Sequence, residues 1–221
     1  MKKKTYLTRK DTIDALKKMK SFHDELINFM SSRGFDILDN LGRRNILLSN
    51  AQEKFFSEVL SKKFEVEHSG KTGEPDIVVK TLSRELECKL TSPHKTGAIA
   101  FQTDYRTLKK KKSLDYLYVV ADKSFDKFAV IHYYDLTTDD FRKLSTGARG
   151  KTQLMKHKAS DKAVFLFGGM ESINHINLLK LNKKLKNVKS EASRNKILKS
   201  IEYWKNTPTK YKIKYEAINE S

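Results

Sequence analysis

The spacing of hydrophobic residues changes along the chain and predicts both helices and strands. Near the N-terminus, apolar residues recur every three or four positions from Ile13 to Phe29, which indicates a helix that Asp11 caps and Gly34 ends. Three more stretches have helical spacing: residues 51–62, capped by Asn50, residues 98–108, and the Lys-rich residues 172–204.

Strand-like patterns lie between these helical stretches. Alternating or β-branched runs predict strands at residues 64–67, 77–79, 85–90, 116–121, 128–134 and 163–167, with an edge strand at 211–215. Because helices and strands are interspersed along the chain, we predict an α/β fold class with a central mixed β-sheet flanked by helices.

The predicted strands 77–79 and 85–90 form a hairpin that carries three charged residues of interest. Asp76 stands at the start of the first strand, so it can lie beside the middle of the second. Glu87 and Lys89 share one face of that second strand, because side chains alternate with a period of two. The hairpin is therefore expected to bring two carboxylates and an ammonium group together.

Two carboxylates held in one place favour a metal ion. At about 4 Å, and at an effective dielectric near 20, their repulsion costs about 4 kcal/mol, which one lysine offsets only in part. A divalent cation offsets more of it, and hard oxygen ligands favour Mg²⁺. The alternative is a surface ion pair between Glu87 and Lys89 with no chemistry.

Composition adds a strong preference for anionic partners. The 221 residues include 45 Lys and Arg against 27 Asp and Glu, a formal charge of +18. Such an excess attracts nucleic acid first and an anionic membrane surface second, and the remaining alternative is a Lys-rich solvated surface. Cys88 is the single cysteine, which excludes an internal disulfide framework and any zinc site built on several cysteines.

The chain has no apolar run of the length that a membrane span needs, and no apolar run follows the first charges. We therefore expect no membrane association and a cytoplasmic location. Residues 145–152 nearly match a phosphate-binding P-loop, but Ser145 replaces the first glycine and no apolar strand precedes it. We expect no nucleotide cofactor.

The order Pro75-Asp76, ten residues, Glu87-Cys88-Lys89 resembles the motif of the PD-(D/E)XK nuclease superfamily, which includes many type II restriction endonucleases. The resemblance implies a restriction-endonuclease-like core at 50–135 within one nuclease domain, 1–221. The helices at 51–62 and 98–108 correspond to its two core helices. Helical and basic additions would lie at both ends: 1–49 is helical, and 136–221 contacts DNA or forms a dimer.

The resemblance also implies roles for individual residues. Asp76 and Glu87 would be metal ligands, together with the backbone carbonyl of Cys88, and Lys89 would be the catalytic lysine. Glu53 occupies the place of the acidic residue that many members carry on the first core helix. The implied reaction is Mg²⁺-dependent hydrolysis of DNA that leaves 5′-phosphate and 3′-hydroxyl ends.

Two details limit this resemblance. Glu58 competes with Glu53 for the position on the first core helix. Gln102 is followed by Tyr105 at three residues rather than four, so the exonuclease subset of the superfamily is not matched. Gln102 can still face the metal site or be a plain surface residue.

Basic residues outside the motif are candidates for contacts with DNA phosphates, or else are solvated surface charges. Arg149 could also read guanine. The predicted DNA-binding residues are Arg43, Arg44, Gln102, Arg106, Lys109, Lys110, Arg149, Lys151, Lys156 and Lys158.

The leading functional prediction is a type II restriction endonuclease that cuts double-stranded DNA and works as a homodimer, one active site per strand. The alternatives are a structure-specific or repair nuclease, such as a junction resolvase, and a basic DNA-binding protein without catalysis. The helical stretch 172–204 either lies along DNA or forms a subunit interface.

Overall fold

The computed structural model describes residues 5–71, 73–93, 99–144, 150–207 and 211–218. The chain divides into two compact units, one comprising 1–169 with 215–221 and the other 170–214. The sequence predicted one domain with an addition from residue 136. The structure assigns 136–169 to the first unit, together with the sheet.

Helices and strands are interspersed along the chain. The helices are α1 (Arg9–Ser32), α2 (Leu41–Ser61), α3 (Tyr105–Lys111), α4 (Ile173–Asn187) and α5 (Glu191–Asn206). The strands are β1 (Val66–His68), β2 (Ile77–Val79), β3 (Arg84–Thr91), β4 (Gln102–Asp104), β5 (Leu114–Ala121), β6 (Lys127–Leu136), β7 (Lys151–Gln153), β8 (Ala163–Phe167), β9 (Gly169–Ser172), β10 (Tyr211–Lys214) and β11 (Glu216–Ala217).

A seven-stranded mixed sheet forms the centre of the first unit, as predicted. Its order is β1-β2-β3-β5-β6-β11, and β8 also pairs with β6. Strands β3 and β5 run parallel, and the other paired strands run antiparallel. In the β2–β3 hairpin, Ile77 pairs with Leu86, which confirms the hairpin expected from the alternation.

The two faces of this sheet are covered differently. Helices α1 and α2 pack their apolar side chains, including Leu16 and Phe56, against the face that contains Ile77 and Leu86. On the opposite face, Phe101 stacks on Tyr118 at 4.4 Å between ring centroids. Strand β4, which follows Phe101, pairs with β7 as a separate two-stranded ribbon. The motif strand β3 thus lies between a helical layer and a small ribbon.

Both long helices begin earlier than predicted. The N-cap of α1 is Thr8, and Asp11 completes a capping box from the first turn rather than capping the helix itself. Helix α2 is capped by Asn40, and Asn50 lies inside it, so the helix crosses the predicted boundary at residues 49 and 50. The apolar spacing failed here because a polar side chain, Arg44, occupies an inward position.

The predicted helix at 98–108 is wrong over most of its described length. Residues 102–104 form β4, which pairs with β7, and α3 starts only at Tyr105. Asp104 caps α3 by accepting the Thr107 N–H at 2.9 Å. The predicted stretch 172–204 is helical but forms two helices, since α4 ends at Asn187 and α5 begins at Glu191. None of the described helices combines the length and apolar character that crossing a membrane requires.

His132 is a buried titratable group in the sheet and should make stability depend on pH. Burial, aided by the Arg84 charge, lowers its pKa to about 3. Between pH 6.5 and about 3 the unfolded chain binds a proton that the folded chain does not, so stability falls as pH falls through this window. The loss attributable to His132 is on the order of 4 kcal/mol at the acid end.

The variant His132→Phe keeps a ring against Tyr6, which packs edge-on at 4.7 Å. We expect its free energy of unfolding to vary less with pH than that of the wild type. Urea denaturation at pH 7, 5.5 and 4.5 measures this difference. Equal pH dependence in the two proteins would show that His132 takes up its proton in the folded state.

Candidate active site

The β2–β3 hairpin brings the three predicted residues together. The antiparallel register, continued by one residue, sets Asp76 opposite Glu87. Asp76 Oδ2 accepts the backbone N–H of Cys88 at 2.7 Å, which fixes this carboxylate against β3. The Lys89 ammonium lies 2.5 Å from Glu87 Oε1 and 3.9 Å from Asp76 Oδ2. One cation therefore contacts both carboxylates.

The side chains of this cluster are largely shielded from solvent, so burial and neighbouring charges shift their pKa values. The side chains of Asp76 and Glu87 are 19% and 12% exposed. Burial raises the pKa of both carboxyls against the lowering effect of Lys89, and each is raised further by a neighbouring carboxylate. Burial also disfavours the Lys89 ammonium, but Glu87 and Asp76 outweigh it and raise its pKa. Without another cation, the site depends on Lys89 for charge balance.

The carboxylate oxygens suit a hard divalent cation. Glu87 Oε2 is buried and has no hydrogen-bond partner among the described residues. No group of three or more His, Cys, Asp or Glu side chains in the described ranges is arranged to hold a metal. Mg²⁺ usually takes only one or two carboxylates and completes its shell with water and phosphate oxygens. Asp76 and Glu87 fit that incomplete protein ligand set.

Cys88 contributes its backbone rather than its thiol. The side chain is 4% exposed and belongs to the core packed under α1 and α2. Burial raises the pKa of the thiol well above its ordinary value, so it stays protonated. The N–H holds Asp76, and the metal-binding role of the Cys88 carbonyl stays a prediction.

The structure favours Glu53 over Glu58 as the acidic residue of the helix. Glu53 is close enough to Asp76 to raise the pKa of that carboxyl. Its Oε2 also lies 3.4 Å from His68 Nε2. Glu58 instead pairs with Lys18 at 2.6 Å on the surface between α1 and α2. The sequence did not single out His68, since a lone histidine carries no spacing signal.

A cleft of about 590 Å³ opens beside this cluster, between α2, the end of β3 and the β4–β7 ribbon. Glu53 and Lys89 line it from one side, and Gln102 and Lys151 from the other. A smaller cavity of about 270 Å³ shares Lys89, Gln102 and Lys151 and extends to Asp104. Gln102 was predicted to lie on a helix, either facing the metal site or on the plain surface; it lies in strand β4 and lines the cleft.

Two of the predicted DNA-contacting residues are turned inward. Arg44 is fully buried, and its guanidinium donates to the backbone oxygens of Asp122 and Lys123, so the prediction that it contacts DNA is wrong. Lys156 donates to the Ile99 carbonyl at 2.6 Å, and burial lowers its pKa. Its predicted contact with DNA is therefore not supported.

The other predicted DNA-contacting residues have different placements. Arg149 lies outside the described residues. Lys110 is 3.6 Å from Glu74, which partly neutralises it. The remaining predicted side chains are exposed: Arg43, Gln102, Arg106, Lys109, Lys151 and Lys158. Of these, Gln102 and Lys151 line the cleft, where they face Lys89 and Glu53.

The cluster has the parts for metal-assisted attack on a phosphate ester: two carboxylates for a cation, an ammonium that can hold a water or a phosphate oxygen, and Lys151 and Gln102 across a cleft. The comparisons with known proteins do not assign the chain to a family. No protein-family model matches the chain, and the search of curated proteins finds none that is significantly similar to it.

Proposed function

We propose that the chain is a Mg²⁺-dependent endodeoxyribonuclease that hydrolyses phosphodiester bonds of double-stranded DNA, in the manner of a type II restriction endonuclease. One observation carries the proposal: Lys89, which contacts both Asp76 and Glu87, lines a cleft together with Gln102 and Lys151. An ion pair with only a structural role would not need a neighbouring cleft that Lys151 and Gln102 line.

Each residue has a task in this proposal. Asp76 and Glu87 would hold the ion, and Mg²⁺ supplies charge neutralisation at the scissile phosphate and a more acidic bound water. Lys89 would position the attacking water or a phosphate oxygen, since its raised pKa makes it a poor base. Lys151 and Gln102 would bind the DNA backbone across the cleft. Glu53, which is close enough to Asp76 to raise the pKa of that carboxyl, would be the additional acidic residue of the site.

The overall charge of +18 supports a polyanionic substrate. Cutting both strands of a two-fold symmetric sequence is simplest for a homodimer, because each subunit then supplies one active site. The proposal includes restriction activity and a homodimer. Cleavage of plasmid DNA tests the restriction activity.

Incubation of plasmid DNA with the protein and Mg²⁺ tests the proposal directly. We expect discrete fragments, no cutting when EDTA replaces Mg²⁺, and a rate at least about a hundredfold lower for Lys89→Ala. The control Lys10→Ala removes an exposed lysine of α1 that does not line the cleft and is not among the predicted DNA contacts, so this variant should cut normally.

Other products would point to the rival functions. Cleavage confined to branched or damaged DNA would replace the restriction assignment with a structure-specific nuclease. Retardation of the plasmid without cutting, under any divalent metal, would contradict the nuclease and leave a DNA-binding protein. Normal cutting by Lys89→Ala would show that the site is misassigned.

A further inference from the structure

Half of the net charge of the chain is concentrated in the second unit. Residues 170–214 contain twelve Lys and Arg against three Glu, a net +9 out of +18. The unit consists of the antiparallel helices α4 and α5 with the paired strands β9 and β10. The proposed nuclease site, which lies in the first unit, does not account for this concentration of charge.

A groove of about 540 Å³ runs between α4 and α5. Lys180, Lys183 and Lys184 project along its α4 side, and Ser200 and Trp204, one helical turn apart, form its α5 side. Asn174, in the first turn of α4, donates from Nδ2 to the carbonyls of Trp204 at 3.2 Å and Thr207 at 2.9 Å. The two helices are thus held together where the aromatic ring lies.

The three groove lysines are exposed, and none of them has an ion pair with another described residue. The acidic residues of this unit, Glu171, Glu191 and Glu202, do not line the groove. Leu181 adds an apolar patch beside the half-buried Trp204. The groove therefore combines uncompensated positive charge with an accessible aromatic surface.

We propose that this groove binds single-stranded nucleic acid, with Lys180, Lys183 and Lys184 on successive phosphates and a base against Trp204. The volume suits one or two nucleotides rather than a duplex. Lysines that follow a backbone and an aromatic side chain that stacks a base are the two parts of sequence-tolerant single-strand binding. The site is independent of the proposed nuclease, since it needs neither Mg²⁺ nor the carboxylates.

Trp204 is the only tryptophan of the chain, so its fluorescence reports on the groove alone. In EDTA, titration with oligothymidylate of about 12 nucleotides should quench this emission at the same concentrations that raise the anisotropy of a labelled strand. Oligouridylate in parallel shows which of the two backbones binds more tightly. EDTA keeps the assay separate from cleavage, so failure of one proposal is not failure of the other.

Two triple variants remove equal charge from different places. The triple variant with Lys180→Gln, Lys183→Gln and Lys184→Gln should weaken binding about tenfold or more. It should also make the slope of log K against log salt concentration shallower by about two. The matched control replaces Lys189, Lys196 and Lys199 by Gln, which lie outside the groove, and should change binding less than about threefold. Trp204→Leu should weaken binding about tenfold or more.

Three results would overturn the proposal. Equal weakening by the two triple variants would indicate unspecific charge attraction. Binding without any change in Trp204 emission would place the strand elsewhere. Quenching by vesicles of anionic phospholipid, with none by either oligonucleotide, would assign the surface to a membrane instead.

Discussion

Substitution of Asp76 by asparagine should lower the rate of Mg²⁺-dependent DNA cleavage by at least about a thousandfold. The amide can still accept the Cys88 N–H through its own oxygen, so the local geometry of the hairpin survives. What it loses is the negative charge that would hold the cation beside Glu87. Initial rates on supercoiled plasmid at saturating Mg²⁺ measure the loss.

The stability of this variant separates a catalytic role from a structural one. Burial and the charge of Glu53 raise the pKa of Asp76, so its ionised form is held at a cost in the folded protein. Asp76→Asn should therefore leave the unfolding temperature unchanged or raise it, as functional sites often trade stability for activity. Loss of cleavage with a lowered unfolding temperature would instead indicate a damaged fold.

Glu58→Gln is the matched carboxylate control. Glu58 pairs with Lys18 on the protein surface, away from the hairpin, so its loss should change the cleavage rate by less than about twofold. Glu53→Gln, on the same helix but lining the cleft, should reduce the rate by about tenfold or more. Equal rates for these two variants would remove Glu53 from the proposed site.

The sequence predicted the sheet better than the helices, for a physical reason. Strands such as Ala163–Phe167 are short apolar runs whose pattern is complete in the sequence itself. The start of α2 is different, because its inward positions include Arg44, which donates to the carbonyls of Asp122 and Lys123. Polar side chains satisfied by distant backbone groups interrupt the apolar period and conceal the helix.

The candidate site was also predictable only where a local pattern brings its residues together. Asp76, Glu87 and Lys89 were predictable because strand alternation and one short turn bring them together. The arrival of Gln102 and Lys151 at the cleft depends on pairing between β4 and β7, which are separated by the two long strands β5 and β6. No local pattern encodes that pairing, so the sequence named both residues as DNA contacts and placed only Gln102, as one of two alternatives, at the metal site.

Arg44 connects the fold to the site through buried hydrogen bonds. Its guanidinium donates to the Lys123 carbonyl at 2.6 Å, the Asp122 carbonyl at 3.2 Å and Ser92 Oγ at 2.8 Å. It also lies over the Phe125 ring, 5.1 Å from the centroid. Phe125 has a positive φ of 61°, a conformation that costs a bulky residue of order 1–3 kcal/mol and needs support from its surroundings.

Replacement of Arg44 by methionine should therefore destabilise the protein by about 3–5 kcal/mol. Methionine fills part of the space but cannot donate, so the carbonyls of Asp122 and Lys123 and the Ser92 hydroxyl lose their partner. Burial lowers the pKa of Arg44 to about 10, which leaves the guanidinium charged at neutral pH and makes its hydrogen bonds strong ones. Urea denaturation at pH 7 measures the change in the free energy of unfolding.

Arg43→Met provides the matched control, since Arg43 is exposed on the same helical turn and should change stability by no more than about 0.5 kcal/mol. Arg44→Lys should fall between the two, because one ammonium cannot reach the carbonyls and Ser92 together. Ser92 and Asn45 line the cleft and both contact Arg44, so Arg44→Met should also slow DNA cleavage at temperatures where the variant is still folded. If Arg44→Met is as stable as Arg43→Met, the loop at residues 122–126 does not depend on the buried guanidinium, and the cleft wall has another support.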